Sequence, residues 1–425
     1  MQSHIYSSRQ AEQATLYQIV REHLEEWRQR RQAGKDVERG YLRSEALSSF
    51  EGFLECGILR FGFARLKCEA CGIEKLLALS CRQRGICASC QAKRLAAWSE
   101  GLVSTLLPDV AYRQWVLVIP KRLRVFFRHD GTLFKKLSAI FAELLTDCLR
   151  AVLGNEELLP AIVACDQTYG TLLGYHPHIH VIASDGGFLP DGSFIPMPRI
   201  KSKHLRRLTE AFRRRVLLFL SRRHKISTQL RKSMAGWEHG GFSLDASVLV
   251  PKGQRERLKK LLCYAHRHPF NSSGIVYPKN KQKVVYRAKK QHGLKKRNFE
   301  VFAVQAFLDA LSDHIPHRGR HRVRYYGALH ASFRKFLPAP NDVLAESEPA
   351  HLAKLGWKSW ERQLWRVYEV DPLLCVCGAR FRRISVILQD AVIVKILTHL
   401  GLPSELPKTL PARAPPIKPE GLRLP

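Results

Sequence analysis

The spacing of apolar residues along the chain predicts a series of amphipathic helices. In residues 9–33, Leu16, Ile19 and Leu24 recur at helical intervals, and Gly34 follows as a stop signal. The same periodicity predicts further helices at residues 91–107, 131–153, 202–223, 255–268 and 299–315. The helix at 202–223 is strongly basic.

Apolar runs between these helices predict strands. The run RQWVLVIP at residues 113–120 has the length and apolar content of a buried strand. Further candidates lie at residues 161–170, 178–184, 284–289, 321–329 and 381–388, and a hairpin-like loop with Pro-Asp-Gly turn chemistry lies at residues 186–196. Helices and strands mix without strict strand–helix–strand alternation. The pattern therefore predicts an α+β fold with a largely antiparallel sheet and flanking helices.

Changes along the chain predict three parts. Residues 1–107 form an N-terminal helical and cysteine-rich domain, and residues 108–335 form a second domain of mixed strands and helices. Residues 336–425 form a C-terminal accessory region whose proline-rich tail, from Pro403, is predicted to be disordered. A chain of 425 residues that is 45% hydrophobic is long enough for such an arrangement with a substantial core.

The charge balance narrows the class of partner. The chain has 70 Lys and Arg residues against 37 Asp and Glu, a formal net charge of +33. A nucleic acid suits such a surface best, because each neutralised phosphate releases condensed counterions; a ribosome or an anionic membrane surface is the alternative. The N-terminus lacks the pattern of a signal peptide, and no apolar run approaches the roughly 18 residues of a membrane span. We therefore expect a cytoplasmic, nucleoid-associated protein with no membrane partner.

Eleven cysteines in a reducing compartment are more typical of metal sites than of a disulfide framework. Cys68 and Cys71 form one pair, and Cys87 and Cys90 form a second pair after fifteen intervening residues. This is the spacing at which two knuckles converge on one tetrahedral zinc ion. Four thiolates leave no open coordination position, so the predicted ion stabilises the fold and takes no part in catalysis.

Four other cysteines are harder to assign. Cys56 and Cys81 could each replace a ligand of that ion, but packing roles are the favoured interpretation. Cys375 and Cys377 are separated by one residue and have no second pair near them in the sequence, so no metal site is predicted there.

Two histidines are the first candidates for catalytic chemistry. The run HPHIH at residues 176–180 places His178 and His180 two apart on a predicted strand, so both imidazoles project from the same face. Such a pair can bind one divalent ion and leave coordination positions open. A third ligand is available nearby in the sequence, from Asp166, Gln167, His176 or Asp185. Two imidazoles and an oxygen do not specify one metal, so Mg²⁺ and Mn²⁺ are both candidates.

A tyrosine near the end of a predicted helix is the candidate nucleophile. Tyr264 lies at the edge of the apolar stripe, with Lys260 one turn before it and His268 one turn after it, so cations are expected on both sides of the phenol. A phosphate can bind at such a place; the alternative is an ordinary half-buried tyrosine. Tyr325 and Tyr326 are rivals, but neighbours on a strand face opposite ways, so at most one of them could enter the site.

Taken together, these segments resemble the HUH (His-hydrophobe-His) transposases of the insertion sequence 91 type. The segment QTYGTLLGYHPHIHVIASDGG, residues 167–187, is similar to the metal-binding core of that family. Three more stretches agree with the family in order, namely CEACG with SCRQRGICASC, MAGWEHGGFSLDASV followed by LKKLLCYAHRHPF, and HRVRYYGAL. The resemblance covers about residues 50–335.

The resemblance implies an N-terminal zinc-binding domain and a catalytic palm with an antiparallel sheet. It implies that a tyrosine attacks a phosphodiester of single-stranded DNA, at the element's ends and at the target, and forms a 5′-phosphotyrosine. His178, His180 and Gln167 then become the ligands of the catalytic Mg²⁺ or Mn²⁺. Tyr264 becomes the nucleophile, and Lys260 would assist it electrostatically.

The chain departs from the family pattern at two places. Members with paired tyrosines have the second one helical turn after the first, where this chain has His268, so the chain resembles the single-tyrosine branch. The relatives have Cys-x2-Cys near the C-terminus, whereas Cys375 and Cys377 are only one residue apart.

The predicted function is therefore that of a rolling-circle transposase that nicks and rejoins single-stranded DNA. A plasmid replication initiator or a relaxase would use the same chemistry, and a zinc-containing DNA-binding protein without catalytic activity is the alternative from another class. The sequence contains no GxxxxGK[ST] loop. This agrees with a reaction that conserves phosphodiester energy in a covalent protein–DNA bond and needs no ATP.

Overall fold

The computed structural model describes residues 9–34, 36, 39–238, 240–278, 282–288, 298–340, 349–355 and 359–407. The greater part of the tail predicted to be disordered, residues 408–425, lies outside the described residues. Within the described ranges, no helix is both long enough and apolar enough to cross a membrane.

The first part of the chain combines helices with a short hairpin. Its elements are α1 (Thr15–Ala33), α2 (Ser44–Leu54), β1 (Phe63–Cys68), β2 (Glu74–Ala78) and α3 (Ala88–Thr105). α1 packs against α2 through buried aromatic rings, and the ring centroids of Trp27 and Phe50 lie 5.2 Å apart. The predicted helix at 9–33 is confirmed from Thr15 onward.

The central part contains the main sheet and the helices that cover it. Its elements are β3 (Tyr112–Val118), α4 (Arg124–His129), α5 (Leu133–Leu153), β4 (Ala161–Tyr169), β5 (Tyr175–Ser184), β6 (Gly186–Phe188), β7 (Phe194–Pro196), α6 (Ser202–Arg222), α7 (Thr228–Ala235), β8 (Ser243–Asp245), β9 (Leu249–Val250), α8 (Arg255–Ala265), β10 (Ile275–Val276), β11 (Lys283–Arg287), β12 (Phe299–Ala303), α9 (Val304–Ser312) and β13 (Val323–Gly327). The α+β fold with its antiparallel sheet is thus confirmed.

One predicted helix is wrong over its first five residues. Residues 299–315 were expected to be helical throughout, but Phe299–Ala303 form β12 and the helix starts only at Val304. The strand forms because β11 lies beside it, with Val285 opposite Val301. Tertiary pairing here overrides the helical spacing of the apolar residues.

The main sheet places the candidate residues by its register. Its strands lie in the order β13, β4, β5, β3 and β8, with β9 also paired to β3, and all these pairs are antiparallel. Gln167 on β4 lies opposite His178 on β5, and Cys165 lies opposite His180. Opposite residues in an antiparallel pair project from one face, so these four side chains share a face.

Helices cover both faces of this sheet. On the face opposite the histidines, α5 and α6 pack on Ile179 and Val181. On the histidine face, α3 and α8 pack on the sheet, and Leu258 and Leu262 of α8 contact the cluster that includes Val163. The helix with the candidate nucleophile therefore lies on the same face as the candidate metal ligands.

A buried ion cluster holds β4 to β13. Asp166 is fully buried, and its carboxylate accepts hydrogen bonds from Arg324 at 2.7 and 2.8 Å and from Arg320 at 3.0 Å. Arg322 donates to the backbone oxygen of Asp166 at 3.0 Å. Because a buried carboxylate requires such partners, this cluster fixes the position of Gln167, the next residue.

The C-terminal part of the described chain contains α10 (Ala350–Ala353), α11 (Trp360–Tyr368), β14 (Phe381–Ile387) and α12 (Asp390–His399). β14 pairs antiparallel with β1 and completes the three-stranded sheet β14-β1-β2. This segment therefore packs on the N-terminal part of the chain. The domain limits at 107/108 and 335/336 stay predictions.

Candidate active site and metal centres

The two histidines and the tyrosine lie together between β5 and α8. The ring centroids of His178 and His180 are 5.0 Å apart. The ring of Tyr264, in the last turn of α8, contacts that of His180 edge-on at a centroid distance of 5.5 Å. His180 is 4% exposed, whereas Tyr264 is 48% exposed, so the group opens to solvent at the tyrosine. The exposed phenol thus lies at the edge of a group whose two imidazoles are buried.

Hydrogen bonds orient both imidazoles. Nδ1 of His178 donates to the backbone oxygen of His176 at 2.7 Å, which leaves Nε2 available for an ion. Nδ1 of His180 lies 2.8 Å from the side-chain amide nitrogen of Gln114 on β3. If the side-chain amide of Gln114 is flipped, so that its oxygen and nitrogen exchange places, the oxygen accepts a hydrogen bond from Nδ1–H of His180. Nε2 of His180 is then available for an ion, as in His178.

Burial also sets the charge of the two rings. It lowers the pKa of His178 to about 4 and that of His180 to about 3. Both imidazoles are therefore neutral near pH 7, which is the form that binds a metal.

Gln167 lies within this group. Its Nε2 donates to the backbone oxygens of Tyr264 and Ala265 at 3.1 and 2.8 Å. Its Oε1 is buried and has no hydrogen-bond partner among the residues that the structure describes. An unpaired buried oxygen on the same face as two neutral imidazoles fits a divalent cation.

The other candidates for a third ligand have different surroundings. The carboxylate of Asp166 is bound by arginines, and that of Asp185 accepts two hydrogen bonds from Arg113 at 2.8 and 3.0 Å. The ring of His176 lies 5.2 Å from that of His178 and is half-buried. Gln167 combines an unpaired oxygen with a position directly opposite His178.

The two predicted neighbours of the phenol differ in charge. Lys260 is exposed one turn before Tyr264 on α8. His268 is half-buried, and its ring packs on that of Phe270 at a centroid distance of 4.3 Å. Burial lowers the pKa of His268 to about 4, so it is neutral and the expectation of a cation at this position is wrong.

The rival tyrosines lie away from the histidines. Tyr325 is opposite Val163 on the sheet, and its hydroxyl accepts a hydrogen bond from Trp98 at 3.1 Å. Tyr326 projects from the other face, where its hydroxyl lies 2.7 Å from that of Ser138.

Two residues near the site were not predicted from the sequence. The guanidinium of Arg267 lies 4.8 Å from the centroid of the Tyr264 ring and supplies a cation beside the phenol. The signal was its spacing of three residues after Tyr264, within the basic run HRH. Gln114 contacts His180 across the strand pair, and no local pattern marks it.

The cysteines form two clusters, each with four thiols. The members are Cys56, Cys81, Cys87 and Cys90 in the first cluster, and Cys68, Cys71, Cys375 and Cys377 in the second. Within each cluster the four sulfurs lie within 4.8 Å of one another, and all eleven cysteines are free thiols.

The prediction of one zinc ion bound by Cys68, Cys71, Cys87 and Cys90 is therefore wrong. The first pair lies at the turn between β1 and β2, whereas the second pair lies at the start of α3, beyond the other end of that hairpin. The length of the hairpin separates the two pairs.

The first cluster fits a structural zinc ion. Its sulfur–sulfur distances from Cys56 to Cys87 and Cys90 are 3.6 and 3.7 Å, and Cys81 lies 3.8 Å from Cys90. A Zn–S bond of about 2.3 Å in a tetrahedron places sulfurs about 3.8 Å apart. Cys56 and Cys81, for which packing roles were expected, thus belong to this cluster.

Comparison with known proteins gives two family matches. Residues 161–335 match the family model described as "Putative transposase", and residues 19–119 match the one described as "Transposase zinc-binding domain". The first region contains the histidines, Gln167 and Tyr264, and the second contains the whole first cysteine cluster.

Two curated relatives are similar over most of their length. "Transposase for insertion sequence element IS801" from Pseudomonas savastanoi pv. phaseolicola is 25% identical over 368 residues, which cover 81% of this chain and 84% of the relative. "Putative transposase y4qJ" from Sinorhizobium fredii (strain NBRC 101917 / NGR234) is 27% identical over 305 residues, 67% of this chain and 74% of the relative. No solved structure matches the chain significantly.

Proposed function

Since the chain belongs to the transposases of the insertion sequence 91 type, with their N-terminal zinc-binding domain, we propose that it cuts and rejoins single-stranded DNA through a phosphotyrosine at Tyr264. The observation that carries this proposal is the contact between Tyr264 and His180, on the face where Gln167 offers an unpaired oxygen. In this proposal the exposed phenol of Tyr264 is the nucleophile, and the two imidazoles and Oε1 of Gln167 are the metal ligands.

The proposed reaction transfers a phosphoryl group to the protein and back. The phenol oxygen of Tyr264 attacks the phosphorus and its proton passes to solvent, while the bond from phosphorus to O3′ breaks. The leaving oxygen takes up a proton as a free 3′-OH, and the 5′-phosphate stays on the tyrosine. Attack by a 3′-OH on that phosphotyrosine reverses the step and rejoins the strand without ATP.

The side chains around the phenol have separate tasks in this proposal. A Mg²⁺ or Mn²⁺ ion held by His178, His180 and Gln167 would polarise a non-bridging phosphate oxygen and stabilise the charge that develops there. Through Nε2, Gln167 also holds the end of α8, so it positions Tyr264. The guanidinium of Arg267 attracts the phosphate to the phenol.

The depth of the site favours a single strand as substrate. His178 and His180 are only 8% and 4% exposed, so a phosphate must enter between β5 and α8 to contact them. An extended single strand can follow such an opening more closely than a duplex can. The net charge of +33 supports binding to the backbone, and we expect affinity to fall by roughly 10³ or more between about 50 and 200 mM salt if at least six or so phosphates are contacted.

The test is covalent capture of labelled DNA. Full-length protein is incubated with a labelled single-stranded oligonucleotide from the end of the element and Mg²⁺ or Mn²⁺, and the adduct is resolved on a denaturing gel. We expect an adduct with the wild type and none with Tyr264→Phe. Tyr325→Phe is the matched control, because this tyrosine is also partly exposed but bonds to Trp98 and should leave the adduct unchanged.

The same assay separates the alternatives. Equal adduct with the wild type and Tyr264→Phe would remove Tyr264 from its role. Salt-sensitive binding of the oligonucleotide without any adduct at all would point to a DNA-binding protein that has no cleavage activity. Equal cleavage of duplex and single strand would contradict the proposed substrate form.

A further inference from the structure

The second cysteine cluster joins segments that are about three hundred residues apart in the sequence. The sulfur of Cys68 lies 3.6 Å from that of Cys377, and the sulfur of Cys71 lies 3.6 Å from that of Cys375. These distances are far longer than a disulfide bond of about 2.05 Å. They match the separation of about 3.8 Å between sulfurs on one tetrahedral zinc ion.

The strand register explains why the two pairs meet. β1 and β14 run antiparallel with Cys68 opposite Phe381. The turn after β1 therefore lies beside the turn before β14, and each turn contains one cysteine pair. Gly72 and Gly378 follow these pairs with φ of +76° and +83°, a conformation that glycine adopts without strain and that lets the chain turn back.

We infer that Cys68, Cys71, Cys375 and Cys377 bind a second structural zinc ion, which fastens the C-terminal segment to the N-terminal domain. Four thiolates complete the coordination of this ion, so it has no catalytic position. The inference concerns the fold and stands independently of the proposed phosphotyrosine chemistry.

The packing of the C-terminal segment indicates why such an ion is needed. β14 and α12 contribute few buried apolar side chains, with Ile393 and Leu397 packed on Phe63 and with Phe381 beside Leu66. Units below about 40 residues rarely bury enough apolar surface to hold together without a metal, a disulfide or a partner. A zinc ion at the start of β14 adds the missing constraint where the pairing with β1 begins.

Charge at the surface adds little to this attachment. Arg60 pairs with Asp390 at the start of α12, but Asp390 is 74% exposed, and solvent weakens an ion pair that has so exposed a partner. The guanidinium of Arg382 on β14 bonds to Glu69, and both side chains are exposed. A metal bound by the four thiols would therefore add a link between β14 and β1 that these two ion pairs do not provide.

The two clusters differ in access to solvent. Cys71 and Cys377 of the second cluster are exposed, whereas the first cluster has three buried thiols and one half-buried thiol. A chelator therefore reaches the second ion first. Removal of this second zinc ion should release β14 and α12 from the N-terminal domain and leave α2 packed against α1.

The decisive measurement is the zinc content of the full-length chain, purified under reducing conditions and measured by mass spectrometry of the metal. We expect about two zinc ions per chain in the wild type and about one in the double variant Cys375→Ser/Cys377→Ser. Cys148→Ser is the matched control: this half-buried thiol lies in neither cluster, so about two ions should remain. One ion in the wild type, or two in the double variant, would overturn the inference.

Hydrogen exchange on wild-type protein provides a measurement that needs no variant. As a chelator removes the first equivalent of zinc, we expect amides of β14 and α12 to lose protection at least tenfold while α2 stays protected. Loss of protection in α2 first, or an unchanged β14, would contradict the assignment. Neither result depends on whether Tyr264 forms an adduct with DNA.

Discussion

Replacing Gln167 by leucine removes both functions that its amide has in the structure. Nε2 no longer donates to the backbone oxygens of Tyr264 and Ala265, and Oε1 is no longer available as a metal ligand. We expect the variant to be less stable without divalent metal and to bind Mn²⁺ at least about tenfold more weakly, since second-shell changes alone cost about 10–100-fold.

The stability change can be worked out from the contacts. The backbone oxygen of Tyr264 keeps a second donor, the backbone N–H of Arg267 at 3.4 Å. Loss of the hydrogen bond from Gln167 to this oxygen should therefore cost about 0.5–1.5 kcal/mol of stability. The oxygen of Ala265 is left without the donor that it has in the structure, at a cost of about 1–3 kcal/mol. Removal of the unpaired Oε1 offsets part of this loss. The net decrease in the free energy of unfolding should be about 1–3 kcal/mol.

Gln305→Leu is the matched control for this substitution. Both polar side-chain atoms of Gln305 are buried without a hydrogen-bond partner among the described residues. The same replacement there should leave stability unchanged or raise it.

Urea unfolding followed by tryptophan fluorescence measures stability, and electron paramagnetic resonance of Mn²⁺ measures binding. Wild-type stability together with wild-type Mn²⁺ affinity in Gln167→Leu would refute the assignment of Gln167. A loss of stability that is equal in Gln305→Leu would show that the effect is not specific to the site.

Three further outcomes are expected. Asp166→Asn should lower the free energy of unfolding by about 3–5 kcal/mol, because the partly buried Arg320 and Arg324 lose their buried carboxylate partner; urea unfolding checks this, and an unchanged midpoint would contradict it. Because burial lowers the pKa of His178 to about 4 and of His180 to about 3, Mn²⁺ binding should persist down to about pH 5 and be lost only as the pH falls further; a loss centred near pH 6.5 in a resonance titration would contradict this. Arg267→Gln should slow adduct formation about tenfold or more at unchanged zinc content, whereas an unchanged rate in the gel assay would remove Arg267 from phosphate binding.

The local part of the candidate site could be predicted from the sequence. The alternation in HPHIH places His178 and His180 on one face of a strand, and helical periodicity places Tyr264 at the edge of an apolar stripe. The structure has both elements and brings their side chains together. The proximity of Tyr264 to the histidines could be expected only from the family resemblance. Spacing within one segment does not show which face of the sheet a distant helix covers.

Features that depend on distant contacts could not be predicted. The pairing of β1 with β14 brings Cys375 and Cys377 to Cys68 and Cys71, and no local signal records that contact. The spacing of Cys68, Cys71, Cys87 and Cys90 is compatible with a single ion as well as with two separate sites. The sequence alone therefore predicts one ion bound by the wrong set of four thiols. In the same way His268 has the position of a flanking cation, but burial against Phe270 makes it neutral.

The most direct measurement is to map the residue that becomes attached to DNA. The adduct is digested with nuclease and protease, and the peptide that retains a nucleotide is sequenced by tandem mass spectrometry. We expect the modification on Tyr264, as a 5′-phosphotyrosine that forms only in the presence of a divalent metal. A nucleotide on Tyr325, on a serine or on any other residue would contradict the proposal that Tyr264 and the histidines of β5 act on one phosphate.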